Sequence, residues 1–179
     1  PVLTVDDYRE MNRALVDVAN TLNRSMVEIS VQVPQLEDTE GGFLDEDSVA
    51  GVIFEDNGAE LLVAGRSISV PEEGALKARL ADGKSYNITV KRQDTNLGIA
   101  VYAIAKNALP DTAWGQIQTA ALGSSGGMSK GEVVLAAGSP FGYYGGLGFG
   151  IISSNRESVD RADGDYGLLC TDIGGSSAG

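Results

Sequence analysis

The sequence predicts an all-β protein with a single N-terminal α-helix, on three observations. Apolar residues recur in short stretches, several with the two-residue alternation of a half-buried strand. Turn-forming residues separate those stretches at regular intervals. The 24 glycines against 5 prolines, within 42% hydrophobic residues over 179 positions, fit many tight turns around a true core better than a helical bundle. A barrel or sandwich of short strands satisfies all three.

The helix falls at residues 5–22, where Tyr8, Met11, Leu15, Val18 and Leu22 recur at helical spacing. Thr4 followed by Asp7 has the spacing of a capping-box variant, with acids at the positive end of the helix dipole. The simplest expectation is that this stripe docks on its own domain; a subunit contact is the alternative. MVEISVQV at 26–33 reads as a strand. QLEDTEGGFLDEDS, 35–48, holds six acids broken by glycine and reads as a solvated loop. A calcium loop would alternate oxygen ligands around an invariant glycine, and that pattern is absent.

From Val49 onward, strands and turns alternate. VAGVIFEDNGAELLVAG holds two strands around Asp56-Asn57-Gly58, a hairpin signal. ALKARLADGKSYNITVKRQD repeats the design around Asp82-Gly83, with alternation at Leu76, Ala78, Leu80 and again at Tyr86, Ile88, Val90. LGIAVYAI, 97–104, is a continuous apolar strand. Residues 105–125 are irregular and read as a connection between halves. GEVVLAAGSPFG, GFGIISSN and GLLCTDI then read as further short strands. This divides the chain into an N-terminal helix at 1–25, a first β-unit at 26–107 and a second at 108–179.

Composition excludes several function classes. Thirteen Lys and Arg against 25 Asp and Glu give a net charge of −12, which repels a phosphate backbone and argues against nucleic acid as a partner. The lone Cys170 has no partner for an internal disulfide, and no CxxC pair suggests zinc. No apolar run approaches transmembrane length and no signal peptide stands at the start. Because the sequence opens on Pro1 rather than Met, it reads as an excised or processed segment, with any membrane contact made through missing upstream residues. There is no histidine, so neither a Ser-His-Asp nor a Cys-His arrangement can form within the chain, and no imidazole can bind a metal. No cofactor or metal is expected.

Two glycine-rich motifs stand in the second half of the sequence. Gly-Ser-Ser-Gly-Gly at 123–127 matches G-x-S-x-G, but that motif needs a strand before it, a helix after it and a histidine elsewhere, so it reads as a turn. GYYGGLGFG, 142–150, lacks the G-x-G-x-x-G spacing of a dinucleotide site. Its Tyr143, Tyr144 and Phe149 are candidates either to line a peptide groove or to pack around the glycine loop.

Four segments, taken in order, resemble the HtrA (Deg) group of trypsin-like serine proteases. VAGVIFEDNGAELLVAGRSISV is similar to that family's GSGVI…DGYILTNNHVV segment, and LADGKSYNITVKRQDTNLGIAVYAI to its LxDGRxFxAxVVGxDPLTDLAVLKI. GEVVLAAGSPFGYYGGLGFGIISS resembles GDWVVAIGNPFGLxxTVTSGIVSA, and LLCTDI resembles FIQTDA. The resemblance implies a trypsin-like double antiparallel β-barrel, with the active site in the cleft between barrels and the second barrel incomplete here. It also implies an extracytoplasmic, cell-surface protein, membrane-anchored in its full-length form, with extended peptide or unfolded protein as partner and a possible homo-oligomeric state.

Carried over residue by residue, the family's catalytic positions are degenerate. Its histidine aligns with Arg66, whose guanidinium stays protonated and cannot take a serine proton. Its aspartate, at the head of the DLAVL strand, aligns with Gly98. Its nucleophile loop aligns with the last residues, Ser176, Ser177, Ala178 and Gly179. Counted from Asp172 without a gap, the nucleophile falls just past Gly179 and Ala178 takes the place of an oxyanion-hole glycine. A gapped count puts the nucleophile at Ser176 or Ser177.

The resemblance thus implies a pseudoprotease that binds peptide. The alternative is an active endopeptidase with an unconventional base and a nucleophile beyond Gly179, and a third reading is a purely structural ectodomain. A Ser-Lys dyad is the remaining hydrolytic route within the chain, and Lys77, Lys84, Lys91, Lys106 and Lys130 stand in charged or turn contexts unsuited to it.

Overall fold

A computed structural model describes residues 2–34, 43–138 and 144–175. Helix α1, Val5–Asn23, opens on a complete capping box: Thr4 Oγ1 accepts the Asp7 N–H, and the Asp7 carboxylate accepts the Thr4 N–H at 2.8 Å. That hydroxyl and main-chain pairing with Thr4 holds the Asp7 carboxyl below its ordinary range.

Seven strands follow as one antiparallel sheet: β1 Met26–Pro34, β2 Phe43–Asp56, β3 Glu60–Arg66, β4 Ala75–Arg79, β5 Ser85–Asn87, β6 Thr89–Asp94 and β7 Ile99–Ala105. Their spatial order is β5-β4-β1-β2-β3-β7-β6. The two edge strands, β5 and β6, are consecutive in sequence and separated only by the buried Ile88. The sheet therefore curls back towards itself, and its inward positions form one core that includes Val27, Ile29, Ile53, Val63, Tyr102 and Ile104. Ile29 fills space left open by glycine: a Cβ on Gly51 would lie 2.9 Å from Ile29 Cδ1.

A short helix α2, Asp111–Trp114, and two single 3₁₀ turns occupy the irregular connection. Then come β8 Val133–Gly138, β9 Gly146–Arg161 and β10 Gly164–Thr171, forming a three-stranded sheet in the order β10-β9-β8. The architecture is the all-β, trypsin-like one expected, with a single long N-terminal helix.

Three details differ from the sequence reading. The acidic stretch 35–48 is not loop throughout, because Phe43 onward belongs to β2 and pairs with β1 as far as Pro34. Ladder hydrogen bonds along a long hairpin outweigh the poor strand propensity of its acids; residues 35–42 lie outside the described residues. β9 is 16 residues long, not a short strand, because β10 pairs along its C-terminal half. The α1 stripe does turn towards β8 and β9, yet Tyr8 and Met11 remain 70% and 61% exposed.

Candidate functional site

The two positions that the resemblance assigned to base and orienting acid meet in space, although 31 residues of sequence lie between Arg66 and Gly98. Arg66 ends β3 and pairs with Ile99, the first residue of β7. One step further, the Ser67 N–H donates to the Gly98 carbonyl at 2.8 Å. The site is supported from beneath by Tyr102, a fully buried ring whose hydroxyl donates to the Arg66 carbonyl at 2.7 Å. Burial pushes that phenol's pKa up, against an opposing main-chain contact at Ile68. The Gln93 amide donates to the Ser67 hydroxyl. Tyr102, Ser67 and Gln93 were not singled out from sequence, since only pairing between strands places them beside Arg66.

Neither aligned position carries a group that accepts a proton. The Arg66 side chain is exposed, and a guanidinium donates hydrogen bonds without accepting any. Gly98 departs from an aspartate in backbone as well as side chain: it sits in a turn before β7 at φ 69°, a left-handed conformation that glycine adopts freely. The nearby carboxylate of Asp94 is committed to the same turn, accepting the N–H groups of Asn96 at 2.9 Å and Leu97 at 3.0 Å. Ser176, Ser177, Ala178 and Gly179 lie outside the described residues.

No lysine supplies a buried alternative base among the described residues. Lys91 pairs with Glu60 at 2.8 Å. Lys106 pairs with Asp56 at 2.6 Å and lies 4.9 Å from the Trp114 ring centre. Lys77 donates to Asn87 Oδ1, while Lys84 and Lys130 are exposed. The Lys106 bond, followed by the Gly58 N–H, holds the Asp56 carboxyl below its ordinary range. Gly123–Gly127 contributes only a 3₁₀ turn at Ser125–Gly127, with no α-helix directly after it.

Two clefts flank the second sheet. One, of about 320 Å³, lies where β4 meets the second sheet and is lined by Asn23, Met26, Arg79, Gly138 and Tyr144 among others. Arg79 pairs with Glu28 at 2.6 Å and lies 5.7 Å from the Tyr144 ring centre. Burial, reinforced by the Glu28 charge and opposed by Arg79, pushes the Tyr144 phenol up to about 12. The other cleft, about 340 Å³, runs between Tyr8, Met11 and Leu15 of α1 and Leu135, Leu147 and Phe149 of β8 and β9. Tyr144 and Phe149, paired in the sequence reading, thus line different clefts; Tyr143 is outside the described residues.

At the end of β10, Asp172 makes a reciprocal contact with β9. Its carboxylate accepts the Ile151 N–H at 2.7 Å, and its own N–H donates to the Ile151 carbonyl at 3.3 Å. Cys170 is half-buried on this strand.

No family model matches this chain. It is 32% identical over 124 residues to the serine protease HTRA2, mitochondrial, of Drosophila willistoni. The matched region is 69% of this chain and 26% of that protein, so the chain spans about a quarter of the relative's length. Together with the curled antiparallel sheet and the meeting of Arg66 with Gly98, this likeness supports a trypsin-like, protease-related domain.

Proposed function

We propose that this domain holds extended peptide or unfolded protein and does not cleave it. The observation that carries the reading is Arg66, exposed at the site where a trypsin-like enzyme needs a base, in a chain with no histidine at all. Transfer of a serine proton needs an acceptor, and neither a guanidinium nor an ion-paired surface lysine provides one at neutral pH. Gly98 offers no carboxylate at the aligned position, and the Asp94 carboxylate is committed to its own turn. Peptide capture needs none of these groups. It needs strand edges and apolar contacts, and among the described residues the order β10-β9-β8 has β8 and β10 at its edges beside exposed apolar side chains.

The test exposes the intact protein to a serine-directed fluorophosphonate probe and to fluorescein-labelled casein as an unfolded substrate. The reading expects casein binding by fluorescence anisotropy, with neither labelling nor cleavage. Labelling together with cleavage would overturn it in favour of an endopeptidase with an unconventional base.

A further inference from the structure

In a regular antiparallel ladder, every second pair of facing residues exchanges both main-chain hydrogen bonds. The last pair between β10 and β9 is Thr171 with Ile152, reached after register shifts on either side of Cys170. Asp172 then serves Ile151 by itself. Its N–H donates to the Ile151 carbonyl, as a strand residue would, but its side-chain Oδ1 accepts the Ile151 N–H at 2.7 Å in place of a main-chain carbonyl. The edge of β9 thereby stays hydrogen-bonded while the Asp172 carbonyl is relieved of ladder duty and the chain can turn off the sheet. The arrangement has a matching cradle. A Cβ built on Gly150 would overlap the Asp172 carboxylate and come within 2.6 Å of Ile173 Cγ1. Glycine at 150 is therefore required by space, not by backbone conformation. The Ile173 N–H, in turn, lies 3.3 Å from Thr171 Oγ1.

We infer that Asp172 is a positioning residue: locked over Gly150, it sets the direction in which residues 173–175 leave the end of β10, one of the sheet edges proposed above to take peptide. The role in binding rests on the function proposed above; the lock itself rests on the geometry alone. The carboxylate acts through an acceptor oxygen, so an amide oxygen at the same place serves, whereas a methyl group does not.

The experiment is amide hydrogen exchange by NMR on the intact protein, with casein anisotropy on the same samples. Exchange at Ile151 is expected to quicken by about tenfold to a hundredfold in Asp172→Ala, the loss of one charge-assisted hydrogen bond. Exchange at Tyr102 and Ile104, in the core of the first sheet, stays unchanged and shows that the fold is intact. Asp172→Asn keeps Ile151 protected. Gly150→Ala reproduces the effect of Asp172→Ala, and combining the two adds little, because each breaks the same contact. If the released segment is correctly placed only about a tenth of the time, casein affinity falls about tenfold in Asp172→Ala and recovers in Asp172→Asn.

Unchanged exchange at Ile151 in Asp172→Ala, or equal damage from Asp172→Asn, overturns the lock. Faster exchange with unaltered casein affinity overturns the positioning role. An intact protein that binds no casein overturns the peptide-holding function, and exchange at Ile151 then still decides whether the lock exists.

Discussion

In the first sheet Val27, Ile29, Ile53, Val63, Tyr102 and Ile104 turn inward and are sealed from water. Along β9 of the second sheet the inward positions are Gly146, Gly148, Gly150 and then Ile152, and the apolar residues between them, Leu147, Phe149 and Ile151, face solvent. The contrast separates two uses of apolar sequence. The curled sheet buries its large side chains and draws its stability from them. The second sheet presents a face of small residues to its neighbour, which allows close approach: a Cβ on Gly138 would stand 2.8 Å from the Ala50 Cβ and 3.1 Å from Met26 Cε. Ile152 is the large side chain it buries, while Leu135, Leu147 and Phe149 are left for the cleft beside α1.

The largest test of this contrast is Ile29→Ala. Ile29 is fully buried and fills the space over Gly51 and Gly65, so truncation leaves a cavity and costs about 2–5 kcal/mol in denaturant unfolding. A loss below about 1 kcal/mol would show that this core does not dominate stability. Next comes Gly138→Ala, which forces a side chain into φ 119° and against Ala50; a cost of about 1–3 kcal/mol is expected. Because that strain sits where the sheets meet, it should also disturb near-ultraviolet signals from Tyr144.

Tyr144 gives the pH test at the same junction. Its folded pKa is raised to about 12 from an ordinary value of 10.0, mainly by burial. The neutral phenol is thus the form the fold prefers. The associated stability is fully present below pH 10 and is lost as pH rises towards 12. Absorbance titration of wild type against Tyr144→Phe should show one phenolate forming late, and titration of that phenol near pH 10 would mean that the junction is open to water. The smallest effect is expected from Phe149→Ser on the exposed face: within about 0.5 kcal/mol in stability, with weaker binding of an apolar dye. Marked destabilisation would show that this face is covered in solution and would erase the contrast between the sheets.

Much of this was legible in the sequence because it is local. The α1 cap needs only Thr4 and Asp7, three residues apart, and the β2–β3 turn needs only Asp56, Asn57 and Gly58, where the Asp56 carboxylate accepts the Gly58 N–H at 2.8 Å. The absence of histidine is a property of composition and needed no structure. GFGIISSN likewise reads as a short strand. Which face would turn inward was not legible, since that depends on whether a neighbouring surface comes close enough to demand glycine.

The same distinction governs the candidate site. Sequence alone determined that the chain carries no histidine, and the resemblance picked out Arg66 and Gly98. Residues 97–104 read as one strand that includes Gly98, whereas the structure starts that strand at Ile99 with Gly98 in the turn before it. Only the tertiary structure decided that these positions meet, that Tyr102 supports them through the Arg66 carbonyl, and that Asp172 takes over a ladder hydrogen bond above Gly150. The physical reason is range. Caps, turns and strand alternation are written in neighbouring residues, whereas each of these contacts joins segments separated by a loop or a whole strand, and its partner is chosen by sheet register.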